Sequence, residues 1–407
     1  MVTIAGITGC RVTDAHAPAV VAPPYDTLSP AERDARAADD PATFLHVLPP
    51  RTVVDGDLEA LFTANRAALD RLLAEGRFSP LPDVCLVVLT LTAGTETITY
   101  VVGNVAAAAY ADGHILPHER VQADRVDQLA HYLDVVGAVS SPVCVIHRPD
   151  PAVTAALVPV LAARPEVALD AGDGLELALR VVADPATMAA LTAAIDATGT
   201  LYLADGHHRA AAIAAHVERH RLPADHPEAQ VLTAVVAADQ LTVLPYHRRV
   251  TTDGRGGTPH LDVEVAHWLA ARDLHVVPLD RPTVPDRPGT FTLAQHSRWW
   301  LVDARERCRP GAVEGLDVRL VEREVLGPLL GTDDPAHDPR VEAIAHPVGL
   351  EALDRPGTFG LALHPPGTEA LLAVAEAGES MPPKTTYVTP KLRSGLLVVP
   401  WAAGRGT

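Results

Sequence analysis

Two histidines and an arginine follow an Asp-Gly turn in Leu201-Tyr202-Leu203-Ala204-Asp205-Gly206-His207-His208-Arg209. An apolar, strand-like run from Leu201 to Ala204 enters the turn. An alanine-rich helical pattern from about His208 to His220 leaves it, with Ile213 and Val217 as its larger apolar residues. Asp205 can cap that helix, and Gly206 lets the backbone turn tightly or approach a ligand closely. The first helical turn offers unbonded N–H groups at the positive end of the dipole, an arrangement that binds phosphate. Arg209 adds a fork suited to phosphate oxygens, and His207 and His208 add donors. Asp-Gly alone reads as an ordinary capped turn. Three bulky polar groups on one tight helix start fill no core, and they favour a functional reading. Zinc is disfavoured at His207 and His208, because adjacent helix-start residues point apart.

A second group is Ile115-Leu116-Pro117-His118-Glu119-Arg120, followed by Asp124, Arg125 and a helical pattern ending at Gly137. A Glu between His and Arg can act as a general base if its carboxylate comes within ~3 Å of the hydroxyl it activates. A solvated loop carboxylate with a local ion pair is the competing reading. Tyr246-His247-Arg248-Arg249 ends a strand-like run, where Arg248 is either a rim contact for phosphate or a solvated strand end. Tyr25 and Asp26, after Pro23-Pro24, either order a substrate pocket or form a structural turn.

The chain has 33 basic and 51 acidic residues, a net charge of −18. That balance disfavours a general nucleic-acid surface, which needs excess positive charge, but allows a small anionic ligand where cations gather locally. Lysine is confined to Lys384 and Lys391, so the other 31 of the 33 basic residues are arginines. Two lysines in one eight-residue window of an arginine-biased chain suggest a need for compact ammonium groups there; chance clustering is the alternative. Cys10, Cys85, Cys144 and Cys308 show no metal-type spacing, and Cys85 and Cys144 sit in apolar runs as small core residues. With no run of 18 apolar residues and no basic-then-apolar start, the expectation is a cytoplasmic protein with no membrane partner. Small-molecule and nucleotide partners are expected, and a homodimer is left open.

These groups need elements to position them. Periodicity predicts amphipathic helices over Gly56 to Gly76 and Asp124 to Gly137, the second ending where a glycine C-cap belongs. Strands are predicted at Val84 to Leu91 and Thr97 to Val105, joined as a hairpin at Ala93-Gly94-Thr95. A further strand is predicted at Ser141 to His147, and a second hairpin from Val231 to Ala237 and Leu241 to Tyr246. Thr251 to His260 reads as a linker. Beyond it, helices near Val263 to Arg272, Leu316 to Leu330 and Gly367 to Gly378 alternate with short strands. The fold class expected is α/β, mixed α+β: an N-terminal α/β region over 1–110, a core over 111–250 and a C-terminal α/β domain over 251–407 carrying the two lysines.

The ordered series His118-Glu119, Arg125, Gly137, Ser141-Pro142 and Asp205-Gly206-His207-His208-Arg209 resembles the free serine kinases of the ParB/sulfiredoxin-like superfamily. That resemblance implies a ParB/sulfiredoxin-like nucleotide-binding core with added N- and C-terminal parts. It implies Glu119 as the base acting on a hydroxyl, with Asp205 and His208 beside it in catalysis. Gly206, His207, His208 and Arg209 would cradle phosphate, and Arg125, Ser141, Lys384 and Lys391 would also bind nucleotide. His118, Tyr25, Asp26 and Arg248 would face substrate, and Asp205 would cap the turn or hold Mg²⁺. Along its full length the chain also resembles the domain-of-unknown-function family 1015. The shared blocks are Pro23-Pro24-Tyr25-Asp26, Pro117 to Arg120, Asp205 to Arg209, Leu244 to Arg248, and Met381 to Lys391. Sulfiredoxins carry a reactive cysteine in the equivalent turn, where this chain has His207, so thiol chemistry is not expected. The expected activity is an ATP- or ADP-dependent kinase acting on a small hydroxylated metabolite, free L-serine first. A nucleotide sensor without turnover and a phosphohydrolase are the alternatives.

Overall fold

The computed structural model describes residues 3–24, 28, 30–50, 52–54, 56–172, 174–252 and 264–401. Tyr25 and Asp26 lie outside the described residues, as does most of the 251–260 linker. Among the described residues the chain is mixed α/β with three sheets, and it gathers into two compact units. One holds residues 1–117, 121–241 and 390–407; the other holds 118–120 and 242–389.

The first unit is built on an eight-stranded sheet. Its strands are β1 (Leu86–Ala93), β2 (Glu96–Ala106), β3 (Ile115–Leu116), β4 (Val143–His147), β5 (Val167–Asp170), β6 (Leu175–Val182), β7 (Leu201–Asp205) and β8 (Gln230–Ala237). They lie in the order β3-β7-β4-β8-β2-β1-β6-β5, so strands from both sides of position 110 share one sheet. β1 and β2 make the expected hairpin, with Ala93 opposite Glu96. The second expected hairpin does not form. β8 is flanked by β4 (parallel) and β2 (antiparallel), which leaves it no edge for the strand that follows in sequence. A small second sheet joins Cys10–Val12, Phe78–Pro80, Ala138–Val139 and Leu397–Pro400, returning the C-terminal segment to this unit.

Five helices of the first unit matter here: α1 (Leu58–Ala74), α2 (Ala123–Val136), α3 (Pro151–Leu161), α4 (Pro185–Ala197) and α5 (His207–His220). On α1, Phe62, Asn65, Ala68, Leu69 and Leu72 are buried at helical spacing. Asp57, Asp150 and Asp184 cap α1, α3 and α4 by accepting from a backbone N–H of the first turn. Gln122 and Gly206, which begin α2 and α5, make no such side-chain cap. α5 packs on β4 and β8, α2 packs on α5, and α1 packs on α2.

The second unit carries a seven-stranded sheet of β9 (Thr242–Thr251), β10 (His275–Leu279), β11 (Thr290–Gln295), β12 (Arg298–Asp303), β13 (Val341–Ala345), β14 (Thr358–Leu363) and β15 (Thr386–Thr389). The path runs β10-β12-β11-β14-β9-β13, and β15 pairs with the start of β9. Helices form at Val265–Ala270, Asp317–Val321 and Gly367–Glu376, within or close to the three expected ranges. A π-helical turn at Glu322–Leu326 continues the second of these.

Beyond the Val87–Val102 pair, the N-terminal segment runs between β1 and β2, with Ala5 bonded to Asn104 and Ile7 to Cys85. A Cβ on Gly103 would stand 2.5 Å from the Ala5 carbonyl oxygen and 2.8 Å from Leu86 Cδ2. Gly103→Val therefore overpacks this crossing. We expect a loss of about 1–3 kcal/mol in urea unfolding; unchanged stability would show that the crossing does not need glycine.

Candidate functional site

The site begins with an irregular strand. Leu203 of β7 opposes Val145, but Asp205 opposes Cys144, so Ala204 is an extra residue that re-aims Asp205. Gly206 follows at φ +97°, and its carbonyl accepts the first helical bond from Ala210 at 3.0 Å. That left-handed conformation is open to glycine at little cost.

Asp205 does not cap α5 as expected. Its Oδ1 accepts from Lys391 Nζ at 2.9 Å and its Oδ2 from Arg209 Nη2 at 2.7 Å. Two charge-assisted bonds outweigh one cap to a backbone amide. Burial works to raise this carboxyl's pKa, but the Lys391 and Arg209 charges overcome it and hold the group well below the usual carboxylate range. The expectation of Mg²⁺ at Asp205 does not fit. Both oxygens already face cations, and a third would be repelled.

Arg209 is spent mainly on structure. Its Nη1 donates to the carbonyls of Ser141 at 2.9 Å and Pro142 at 2.6 Å. The phosphate fork expected from sequence thus fastens the strand entrance of β4 to the first turn of α5. What it offers a ligand is charge: Asp205, Arg209 and Lys391 together carry a net +1. Cys144 lies directly across from Asp205, although the sequence suggested no cysteine near the turn. Its thiol is pushed up to about 12, by burial first and by the Asp205 charge second, so it stays protonated and unreactive at neutral pH.

Two helix starts meet here. His208 Nε2 accepts from the Gln122 backbone N–H at 3.1 Å, fixing the neutral form of that nitrogen. Farther along, Asp134 of α2 meets His216 of α5. Helices joined start to start and end to end run parallel, so the N-termini of α2 and α5 lie side by side. Each contributes the partial positive charge of its helix start, and neither Gln122 nor Gly206 caps its helix with its own side chain. This is the geometry of an anion site.

The other expected residues divide. Lys391 is in place at the turn, with its side chain 12% exposed. His207 is buried, and its backbone begins α5. Ser141 contributes its carbonyl to Arg209, while its hydroxyl pairs with that of Ser394 at 3.3 Å. Arg125 is buried with Nη1 3.4 Å from the Thr52 carbonyl, a link from α2 to the segment before α1 rather than an exposed cation. A cavity of about 50 Å³ beside Arg209 and Ser141 is lined mainly by apolar residues such as Leu129 and Leu133. It falls far below the ~300–1,000 Å³ of ligand pockets and is no nucleotide site.

Glu119, His118, Arg248 and Lys384 belong to the second unit. Glu119 is half-buried in a parallel bridge with Met381. His118 is 1% exposed and 3.3 Å from the Thr386 hydroxyl, so it has no surface to offer a substrate. Arg248 is buried in mid-strand, not at a strand end. Its guanidinium donates to the carbonyls of Tyr246, Pro383 and Lys384, which corrects its reading as a rim contact. Lys384 lies with Nζ 5.5 Å from the Tyr246 ring centroid.

The Asp205 cluster makes a pH-dependent contribution. Asp205→Asn leaves two cations facing a neutral amide and is expected to cost about 1.5–3 kcal/mol at pH 7. Because the folded-state pKa lies below the ordinary value of 3.8, the stabilisation is complete above that value and is lost as pH falls through the folded one. Urea unfolding of both proteins should show the gap narrowing below about pH 4. A gap constant into strong acid would contradict this pairing.

No curated protein matches the sequence. Among solved structures, a mutant free serine kinase in complex with ADP is 14% identical, covering 73% of this chain and 92% of its own, with a TM-score of 0.35. SbnI with a C-terminal truncation, from Staphylococcus aureus, is 12% identical over 74% of this chain and 87% of its own, with a TM-score of 0.39. A conserved hypothetical protein from Pyrococcus furiosus is 14% identical over 73% and 95%, with a TM-score of 0.32. At these values nothing those proteins bind or do is carried across to this chain. A family model described as protein of unknown function, DUF1015, matches residues 4–319, and the chain belongs to that family.

Proposed function

We propose that the paired starts of α2 and α5 bind the phosphates of ATP or ADP, and that the protein transfers a phosphoryl group to a small hydroxylated metabolite, free L-serine first. The observation that carries the reading is the side-by-side placement of two helix N-termini beside a cluster of net charge +1. Phosphoryl transfer asks mainly for positioning and charge neutralisation, which such a site supplies. The ordered motif series described above supports the same reading.

Glu119 is the proposed base. The acceptor hydroxyl gives its proton to this carboxylate while its oxygen forms the new bond to phosphorus. The bond from phosphorus to the bridging oxygen breaks, and ADP or AMP leaves with the electron pair. Gly206 and the backbone of His207 and His208 hold the phosphates, with Lys391 and Arg209 supplying charge.

Purified protein incubated with ATP or ADP, a divalent cation and L-serine should form O-phosphoserine, read by phosphorus NMR. Glu119→Gln should lower turnover ~10²- to 10⁴-fold while leaving nucleotide affinity within about twofold. Undiminished turnover in that variant removes Glu119 as the base. Nucleotide binding without turnover on any hydroxy-metabolite selects the sensor, and phosphate release without an acceptor selects the phosphohydrolase. Lys391→Ala should weaken nucleotide binding about tenfold or more, read by calorimetry. Equal affinity would place the phosphates elsewhere.

A further inference from the structure

The opposite ends of the same two helices carry another cluster. Asp134 lies in the last turn of α2, and His216 and His220, four residues apart, lie at the end of α5. Asp134 Oδ1 is 2.7 Å from His216 Nδ1 and 3.4 Å from His220 Nε2. One carboxylate oxygen and two ring nitrogens thus converge, all within 4.8 Å of one another. Glu228 stands behind His216, its Oε2 2.9 Å from Nε2, and both residues are buried. The ring of Trp401 covers His216 at 4.4 Å between centroids.

We propose that Asp134, His216 and His220 form a site for a divalent transition metal, with Zn²⁺ the best match, and that Glu228 orients His216 from behind. With Nε2–H donating to Glu228, the lone pair of Nδ1 faces the Asp134 oxygen at hydrogen-bond distance. Two acceptors so placed need a cation between them. A proton can bridge these two atoms, but a metal can take His220 as well. Two imidazoles four apart on one helix plus a carboxylate form a recurrent zinc set. A carboxylate on the far ring nitrogen is the usual support for a metal-bound histidine.

Charge favours the same ligand. Asp134 and Glu228 bring two negative charges against the one positive charge of Arg219, which Asp127 shares, and the ends of α2 and α5 add the negative poles of two parallel dipoles. Arg219 Nη1 lies 3.3 Å from Asp134 Oδ2, which leaves Oδ1 turned toward the imidazoles. Zinc bonds of about 2.0–2.2 Å require ligand atoms roughly 3.3 Å apart in a tetrahedron. The His220–Asp134 spacing already meets this; the His216–Asp134 contact must open by about half an ångström. A fourth position would fall to water or a ligand. The inference does not rest on the kinase reading.

The test uses the full chain without a histidine tag, stripped with EDTA and dialysed. Calorimetric titration with ZnCl₂ at pH 7.5 should give one equivalent bound. Co²⁺ in place of Zn²⁺ should give the visible bands of a four-coordinate site. His220→Ala and Asp134→Asn should each weaken binding about 100-fold or more while keeping the native circular dichroism, and Glu228→Gln should weaken it 10- to 100-fold. No binding by the parent protein overturns the proposal. So does binding that survives both His220→Ala and Asp134→Asn unchanged.

Discussion

Two helices packed in the same direction put like poles together, and that arrangement sets the chemistry of the first unit. Antiparallel neighbours cancel their dipoles, whereas α2 and α5 add theirs: positive at Gln122 and Gly206, negative at Val136 and His220. Each end then wants charge of the opposite sign, worth about 0.3–1 kcal/mol per helix at an exposed site. Gln122 and Gly206 do not cap the starts with their own side chains, while α1, α3 and α4 are capped by aspartates. The far ends are crowded with His216, Arg219 and His220. One packing choice thus sets partial positive charge at one end of the helix pair and partial negative charge at the other, where the two proposed sites lie.

Asp205 is the joint that holds the anion end in shape. It leaves the strand through a bulge and sits between Lys391 from the C-terminal segment and Arg209 from the helix. Arg209 in turn reaches the carbonyls of Ser141 and Pro142 at the entrance to β4. The carboxylate therefore draws two positive charges to a helix start that would otherwise repel them, and their excess of one remains for a ligand. A cap from Asp205 would have closed the N–H groups and left the cations elsewhere.

Local pattern made much of this legible in the sequence. The strand-turn-helix at Leu201 to His220 and the helix ending at Gly137, in the left-handed conformation at φ 63°, follow from periodicity and one glycine each. Composition pointed to Lys391, because lysine is so scarce in this chain. What sequence could not supply were partners brought by the fold. His207, His118 and Arg248 read as surface groups, yet all three are buried, His118 beside Thr386 and Arg248 against the carbonyls of Pro383 and Lys384. The failed hairpin after β8 has the same origin, since the neighbours of a strand are set by the whole sheet. His216 and His220 were not among the residues expected to carry chemistry, and their neighbours Asp134 and Glu228 come from other elements, so nothing local announced the cluster.

The central claim is that nucleotide phosphates bind at the joined starts of α2 and α5. A crystal structure of the protein grown with ADP tests it most directly. The account predicts phosphate oxygens within about 3 Å of the backbone nitrogens that begin α5, with Lys391 and Arg209 still flanking Asp205. Phosphates bound elsewhere, with the start of α5 open to water, would contradict it.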